Sequence, residues 1–339
     1  MKLSSHPMTL DLRSTFRVSH GASDQRHNVL VKIEHDGLVG YGEAAAVFYY
    51  GDTQESLMAY LNALPNLGDD PFLLEDVLNA LPPGPPAARA AVDIALHDLW
   101  GKILGQPLYR LFGLMPAPLP PTSFTIGIDA PEVMAARVKE LNYPVIKVKL
   151  GADDPEAAVA AIRKSTTARL RVDANAAWMP DQALELITRL SQYDLELVEQ
   201  PLAPGDAQPY IWLHDQLRAR GVMTPIFADE SIKTARDVAA HAGAVDGVVV
   251  KLMKTGGLRE ALRAIHTARA HDMKIMLSCM IESSVGVTAA AHLAPLCDHL
   301  DLDGPLLIAN DSFRGLRYEG ANLFLPQGIG LGVSPLANP

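Results

Sequence analysis

A βα barrel behind a smaller α+β unit is the fold this sequence predicts, and three observations carry the prediction. After residue 121, eight short β-like runs alternate with Ala/Leu-rich helical segments, spaced at roughly 20–30 residues as βα units are. Most of these runs carry a charged residue at the C-terminal end. A Pro-rich stretch, PAPLPP at 116–121, separates them from an N-terminal third of different texture.

In order along the chain, residues 8–18, NVLVKIEHDG and VGYGEA read as β segments broken by Gly, Asp and Asn, which suggests a small antiparallel sheet. The polar stretch RVSHGASDQRH between Phe16 and Asn28 reads as a mobile loop. PPGPP at 82–86 stops the chain before a helix. There Val92, Ala95, Leu96, Leu99, Trp100, Ile103 and Leu104 follow helical spacing and give one apolar face, interrupted by His97 and Asp98. The eight later runs are SFTIGI, VIKVKL, LRVDAN, LELVEQ, IFADES, GVVVKL, KIMLSC and LDLDGP. A doubly wound sheet is the competing arrangement, but charges at the same end of most strands favour closure into a barrel. The last segment, YEGANLFLPQGIGLGV, lacks a helix and is expected to return to the first unit.

The 339 residues, 48% apolar and 20% charged, are enough for a large core. A net charge of −10 without a Lys/Arg run speaks against nucleic acid. No stretch has the length of a signal peptide's apolar region or of a membrane span. Two cysteines, Cys279 and Cys297, are too few for a disulfide framework and lack metal-site spacing. A reducing, cytoplasmic setting is the expectation.

Charges in β-rich segments are expensive to bury unless they are paired. Side chains alternate faces along a strand, so Lys147 and Lys149 share one face while Ile146, Val148 and Leu150 share the other. Asp301 and Asp303 likewise point together. In a barrel the charged face turns inward, at the rim where βα barrels keep their sites. Asp173, Glu199 and Asp229 then end three successive strands. Three neighbouring carboxylates need a cation, and oxygen ligands without His or Cys point to Mg²⁺ or Mn²⁺. Asn175 and Glu230 support this set, Glu230 from the opposite strand face. Lys149 and Lys251 approach from opposite sides, which suits removal of a proton α to a carboxylate and its return on the other face. Schiff-base chemistry at either lysine would leave the three acids unexplained. Lys254 falls beyond its strand and is expected on a loop, exposed to solvent.

With these residues in place, the chain resembles the dipeptide epimerases of the enolase superfamily's muconate-lactonizing-enzyme subgroup. The ordered motifs KVK, DAN, EQP, ADES, KLMKTGG and CMIESSVG carry that resemblance, together with ARAAVDIALHDLWGKILGQPLYRLFG. It implies an N-terminal α+β capping domain (1–116), a modified TIM barrel of (β/α)7β form (117–316) and a C-terminal segment (317–339) returning to the cap. It implies Asp173, Glu199 and Asp229 as Mg²⁺ ligands and Lys149 and Lys251 as the acid/base pair acting through an enediolate. Lys147 would contact the substrate carboxylate. DLD at 301–303 matches the pair that binds the free ammonium of a dipeptide, which requires anions there.

An N-acylamino-acid racemase, or a lyase of the o-succinylbenzoate synthase or muconate cycloisomerase kind, is the alternative on this scaffold; such substrates have no ammonium. A non-catalytic Mg²⁺-binding partner module is the remote one. The resemblance also implies a homo-oligomer. Ala-Glu epimerases usually carry an arginine in the cap loop, where this chain has His20, with Arg17 and Arg26 out of register. A neutral histidine replaces a bidentate guanidinium poorly, so the preferred side chain stays open. Phe48 and Tyr50 (with Tyr49), Cys279 and Met280 on the seventh strand, and Ser283 near them, are the remaining candidates for substrate contact.

Overall fold

The computed structural model describes residues 1–18, 21–116, 118–151 and 154–336. Strands β1 (Lys2–Val18), β2 (Gly21–His35) and β3 (Leu38–Ala44) form an antiparallel sheet in that order. The stretch expected to be a loop instead prolongs the β1–β2 ladder, with Arg17 opposite Ala22 and Val18 opposite Gly21 after a register shift beyond Asp11. The two strand extensions satisfy each other's backbone groups, which needs no apolar pattern. This hairpin reaches the barrel: Ile128 N–H donates to the Arg17 carbonyl at 3.0 Å. A Cβ on Gly127 would stand 3.0 Å from that same oxygen, so a glycine permits the approach.

Helices α1 (Gln54–Asn62), α2 (Leu74–Ala80), α3 (Pro86–Ile103) and α4 (Leu108–Leu111) complete the first unit. Pro86 opens α3, where a missing N–H costs nothing. One apolar face was the expectation for α3, but the helix is buried almost all round. Gly40 and Gly42 let β3 ride against one side, since a Cβ on Gly42 would meet the Ala91 carbonyl at 1.9 Å. The barrel covers the other side. Asp98, within α3, accepts from Tyr41 N–H and from Lys102 Nζ on one oxygen (2.8 and 2.6 Å) and from Leu331 N–H on the other (2.8 Å).

The eight later runs are β4 (Phe124–Ile126), β5 (Val145–Lys149), β6 (Arg169–Asp173), β7 (Leu195–Glu199), β8 (Ile226–Ala228), β9 (Gly247–Val250), β10 (Lys274–Ser278) and β11 (His299–Asp301). They pair in parallel in chain order. Thr122 bridges Leu300 and Ser123 N–H donates to the Leu300 carbonyl at 3.0 Å, which closes the sheet into a barrel. Between successive strands run α5 (Pro131–Leu141), α6 (Pro155–Ser165), α7 (Pro180–Leu190), α8 (Gln208–Ala219), α9 (Ala235–Ala240), α10 (Leu252–Thr255) with α11 (Leu258–Ala270), and α12 (Ser284–Ala291). Among the described residues no helix is long and apolar enough to cross a membrane.

Ile146, Val148, Val172 and Val198 join the large core shared with the helices. Leu197, Phe227, Val249 and Met276 form a separate small cluster inside the barrel. Buried Arg171 lies with them, donating to the Leu300 carbonyl at 2.8 Å. Glu199, Asp229, Lys251 and Ser278 each follow one of the four cluster residues by two positions, Glu199 and Ser278 within their strands and Asp229 and Lys251 directly after them. The barrel floor therefore positions the charged layer above it.

Two carboxylates of the cap finish helices of the barrel. Asp93 of α3 accepts the Leu258 N–H at 2.7 Å, at the start of α11. Glu43 of β3 accepts from Ser283 N–H (2.9 Å), Ser283 Oγ (2.6 Å) and Gly286 N–H (3.0 Å), at the start of α12. Helix N-termini leave donors that such groups satisfy.

After β11 come β12 (Phe313–Arg314), β13 (Arg317–Glu319), β14 (Asn322–Phe324) and β15 (Ser334–Pro335). Gly330 exchanges backbone hydrogen bonds with Gln106 and Leu108 beside α4 (2.9 and 3.0 Å). His292 joins these parts. Its Nδ1 accepts from Tyr109 N–H (3.2 Å) and its Nε2 donates to the Leu331 carbonyl (3.1 Å). Burial lowers its pKa from 6.5 to about 4. A depressed folded pKa means stability that is present above pH 6.5 and lost as pH falls toward 4. The shift corresponds to about 3 kcal/mol. Thermal melts of the wild type should therefore show an acid limb in this window, and His292→Gln should flatten it. An unchanged limb in the variant would assign the acid lability elsewhere.

Candidate active site

Asp173 and Glu199 close β6 and β7, and Asp229 follows directly on β8. One carboxylate oxygen from each lies within 4.8 Å of the others, and all three residues are buried. Gln200 holds two of these strand ends together: its Oε1 accepts the Asp229 N–H at 2.7 Å. The three acids fit a hard divalent cation, because they offer oxygen ligands at short range and repel one another as they stand. Burial, and then Asp173, push the Glu199 carboxyl well above the usual range despite Lys147. Burial would raise Asp173 as well, but Lys149 and Lys147 outweigh it and hold it low. Asp229 is held low against burial by Lys251 and Lys254.

Four lysines surround the acids. Lys149 Nζ donates to Asp173 Oδ2 at 2.6 Å, and Lys251 Nζ donates to Asp229 Oδ2 at 2.6 Å, so the two flank the set from different strands. Lys147 is 2% exposed and reaches Glu199 (2.7 Å), Asp301 (2.9 Å) and Asp173 (3.1 Å). Burial alone would lower its pKa, but Asp301, Glu199 and Asp173 raise it well above the ordinary value. Lys254 corrects the expectation of a solvent-exposed loop residue. It is fully buried and donates to Asp229 Oδ1, to the Asp229 carbonyl and to the Val249 carbonyl. The chain turns directly from β9 into the short helix α10, and that turn swings Lys254 back under Asp229.

Asp301 and Asp303 stand beside Lys147. Asp301 accepts from Ser123 Oγ (2.6 Å), Ser278 Oγ (2.8 Å) and Lys147, which together hold it down at about 2 against the effect of burial. Asp303 accepts only the Thr125 N–H among these neighbours, at 2.7 Å. Burial and the adjacent Asp301 raise it to about 7.

These groups open into a cavity of about 550 Å³ between barrel rim and cap. Lys147, Lys149, Asn175, Lys251, Cys279, Met280, Asp301 and Asp303 line its barrel side. Glu230 lines it too and accepts from Asn175 Nδ2 at 3.1 Å. It was expected on the face away from Asp229, but β8 ends at Ala228, and by Glu230 the chain has turned out of the extended geometry that alternation needs. Ser283 does not reach the cavity; its hydroxyl is spent on Glu43 and on capping α12. From the cap, Tyr49 lines the cavity, while Tyr50 packs edge-on against Tyr49 and under Lys233. His20 and the side chain of Phe48 lie outside the described residues. Arg26 also lines the cavity, and among the described residues its guanidinium donates to the Gln25 carbonyl (3.0 Å) and meets no carboxylate. Thr125, Gln200, Lys254 and Arg26 are the site residues that sequence reasoning left aside. The Gln of EQP and the second Lys of KLMK were the available signals.

Residues 6–113 match the mandelate racemase / muconate lactonizing enzyme N-terminal domain, and residues 130–338 match the enolase C-terminal domain-like family. The chain is 41% identical to the L-Ala-D/L-Glu epimerase of Bacteroides thetaiotaomicron, covering 98% of this chain and 88% of that protein. The substrate-liganded L-Ala-D/L-Glu epimerase of Bacillus subtilis superposes with a TM-score of 0.93 at 31% identity, covering 100% and 99% of the two chains. The dipeptide epimerase of Enterococcus faecalis complexed with Mg and L-Leu-L-Tyr does so with 0.90 at 34%, covering 98% and 99%. With both domains matched over nearly all its length, the chain belongs to the mandelate racemase/muconate lactonizing enzyme group of the enolase superfamily.

Proposed function

We propose that this protein is a Mg²⁺-dependent dipeptide epimerase that inverts the α-carbon of the C-terminal residue. One observation carries the reading: two lysines flank a single set of three acids, in a cavity that also holds the aspartate pair Asp301/Asp303. Asp173, Glu199 and Asp229 would hold the ion, with Mn²⁺ as a substitute of the same hard-oxygen preference. When bound, the ion supplies positive charge to the substrate carboxylate, so that negative charge can accumulate there as the α-proton leaves. Lys149 and Lys251 do the proton work, one removing the α-proton on its own face and the other delivering a proton to the opposite face. Their roles exchange with substrate chirality. Lys147 keeps the charges of Glu199 and Asp301 apart. Asp301 and Asp303 take the free ammonium, which disfavours N-acylated amino acids and the ring-forming or eliminating substrates of related lyases.

The cap closes the cavity over the side chain. Arg26, a guanidinium on this wall with no carboxylate partner among the described residues, favours an acidic C-terminal residue. The free thiols of Cys279 and Cys297 suit a reducing, cytoplasmic setting.

The test is α-proton exchange. Metal-loaded protein in D₂O, given a dipeptide library, should add one deuteron per turnover, fastest with acidic C-terminal residues and only with the divalent ion present. Absence of exchange with every dipeptide, from folded and metal-loaded protein, would sink the reading.

A further inference from the structure

Lys254 takes no part in the proton transfers described above, yet it is the most completely committed cation of the site. Its side chain is 0% exposed. Its three protons go to Asp229 Oδ1, to the Asp229 carbonyl and to the Val249 carbonyl, that is, to the ends of two adjacent strands. An ammonium with every proton so placed has none to offer a substrate, and no route to solvent. Lys251, three residues earlier, instead holds the other Asp229 oxygen, Oδ2, and lines the cavity. Asp229 is thus bracketed: Oδ1 is tied to the scaffold through Lys254, and Oδ2 is held by Lys251 on the cavity side.

We propose that Lys254 is a positioning residue and the built-in counter-ion of the metal site. Resting on the Mg²⁺ reading above, the inference is that Lys254 makes Asp229 a one-oxygen ligand and cancels one of the three acidic charges. Asp173, Glu199, Asp229 and the adjoining Asp301 together carry four negative charges, the buried Lys147 and Lys254 two positive charges, and a divalent ion two more. The balance is zero, so Lys149 and Lys251 need not serve as counter-ions once the ion is bound. A buried charge excess of one unit would be strongly felt in such a site, so Lys254 sets the site's preference for divalent over trivalent ions.

The test compares Mg²⁺ and La³⁺ affinities by titration calorimetry of the full chain, for the wild type and for Lys254→Met, Lys254→Gln and Lys254→Arg. Removing the resident charge should raise the La³⁺/Mg²⁺ affinity ratio at least about tenfold in the Met and Gln variants, since one unit of ion charge is at stake. Lys254→Arg, which keeps the charge, should keep the ratio. A ratio unchanged in the folded neutral variants overturns the proposal. Should neither neutral variant fold, Asp229→Asn/Lys254→Met decides by thermal melting. Recovery of folding in the double variant supports charge compensation, and continued failure to fold reduces Lys254 to packing and overturns the proposal. A wild type that binds no Mg²⁺ would count against the epimerase reading itself, whereas normal Mg²⁺ binding with an unmoved ratio counts against this inference alone.

Discussion

Lys149→Ala and Lys251→Ala should each lower the rate of epimerisation by about 10³-fold, the scale of a lost general acid or base. The two lysines sit on β5 and at the end of β9, and each is hydrogen bonded to a different acid of the cluster. A proton taken on one side therefore has to be replaced from the other. This arrangement makes a sharper demand than loss of rate. With one lysine gone, the epimer whose α-proton faces the surviving lysine should still exchange with D₂O, while the other epimer should not. The two variants should show opposite preferences. Full epimerase activity in either variant, or exchange of both epimers in both, would refute the two-base scheme. Mg²⁺ binding, measured separately, should survive, because neither lysine is a ligand.

Asp303→Asn should raise KM for a free dipeptide by about 100-fold, with little change in kcat. Removing the anion beside a buried ammonium costs about 3 kcal/mol, and it does so at a distance from the reacting carbon. Asp303 is the better probe of the pair, since Asp301 is already spent on Lys147, Ser123 and Ser278. N-acetylation of the substrate should penalise the wild type far more than the variant. A pH dependence accompanies this. The Asp303 carboxyl is raised to about 7 by burial and Asp301, so it is neutral below that pH and anionic above it. KM for free dipeptides should consequently rise as pH falls below 7, through loss of the anion. The rise should vanish in Asp303→Asn. Equal KM values for free and N-acetylated substrates in the wild type would reverse the assignment.

Much of this site was legible because strands impose a period of two and end at a common rim. Lys147 with Lys149, Asp301 with Asp303, and the three acids could be placed on one face by counting alone. Counting fails where the strand stops. Glu230 follows the end of β8 and turns into the cavity, and Lys254 sits in α10, whose turn points it back beneath Asp229. Ser283 was misplaced for another reason: its role is set by Glu43, from a strand distant in the chain. The β1–β2 hairpin extension carries polar residues that pair through backbone alone, and side-chain pattern says nothing about such pairing. Closure of the barrel was readable as regular repetition. The burial of α3 on almost every side depended on Gly40 and Gly42, whose meaning appears only against the helix they admit.

The caps supplied by Asp93 and Glu43 bear on how such a chain can be inherited. The Pro-rich linker at 116–121 looks like a natural cut, yet the first turns of α11 and α12 would lose their acceptors on the far side of it. A recombination event at that linker that brought in a cap without acids at these two places would deliver a barrel with two unfinished helices. The sequence boundary is therefore not a seam along which the two parts trade partners. The two parts are matched at these helix starts as well as across the cavity.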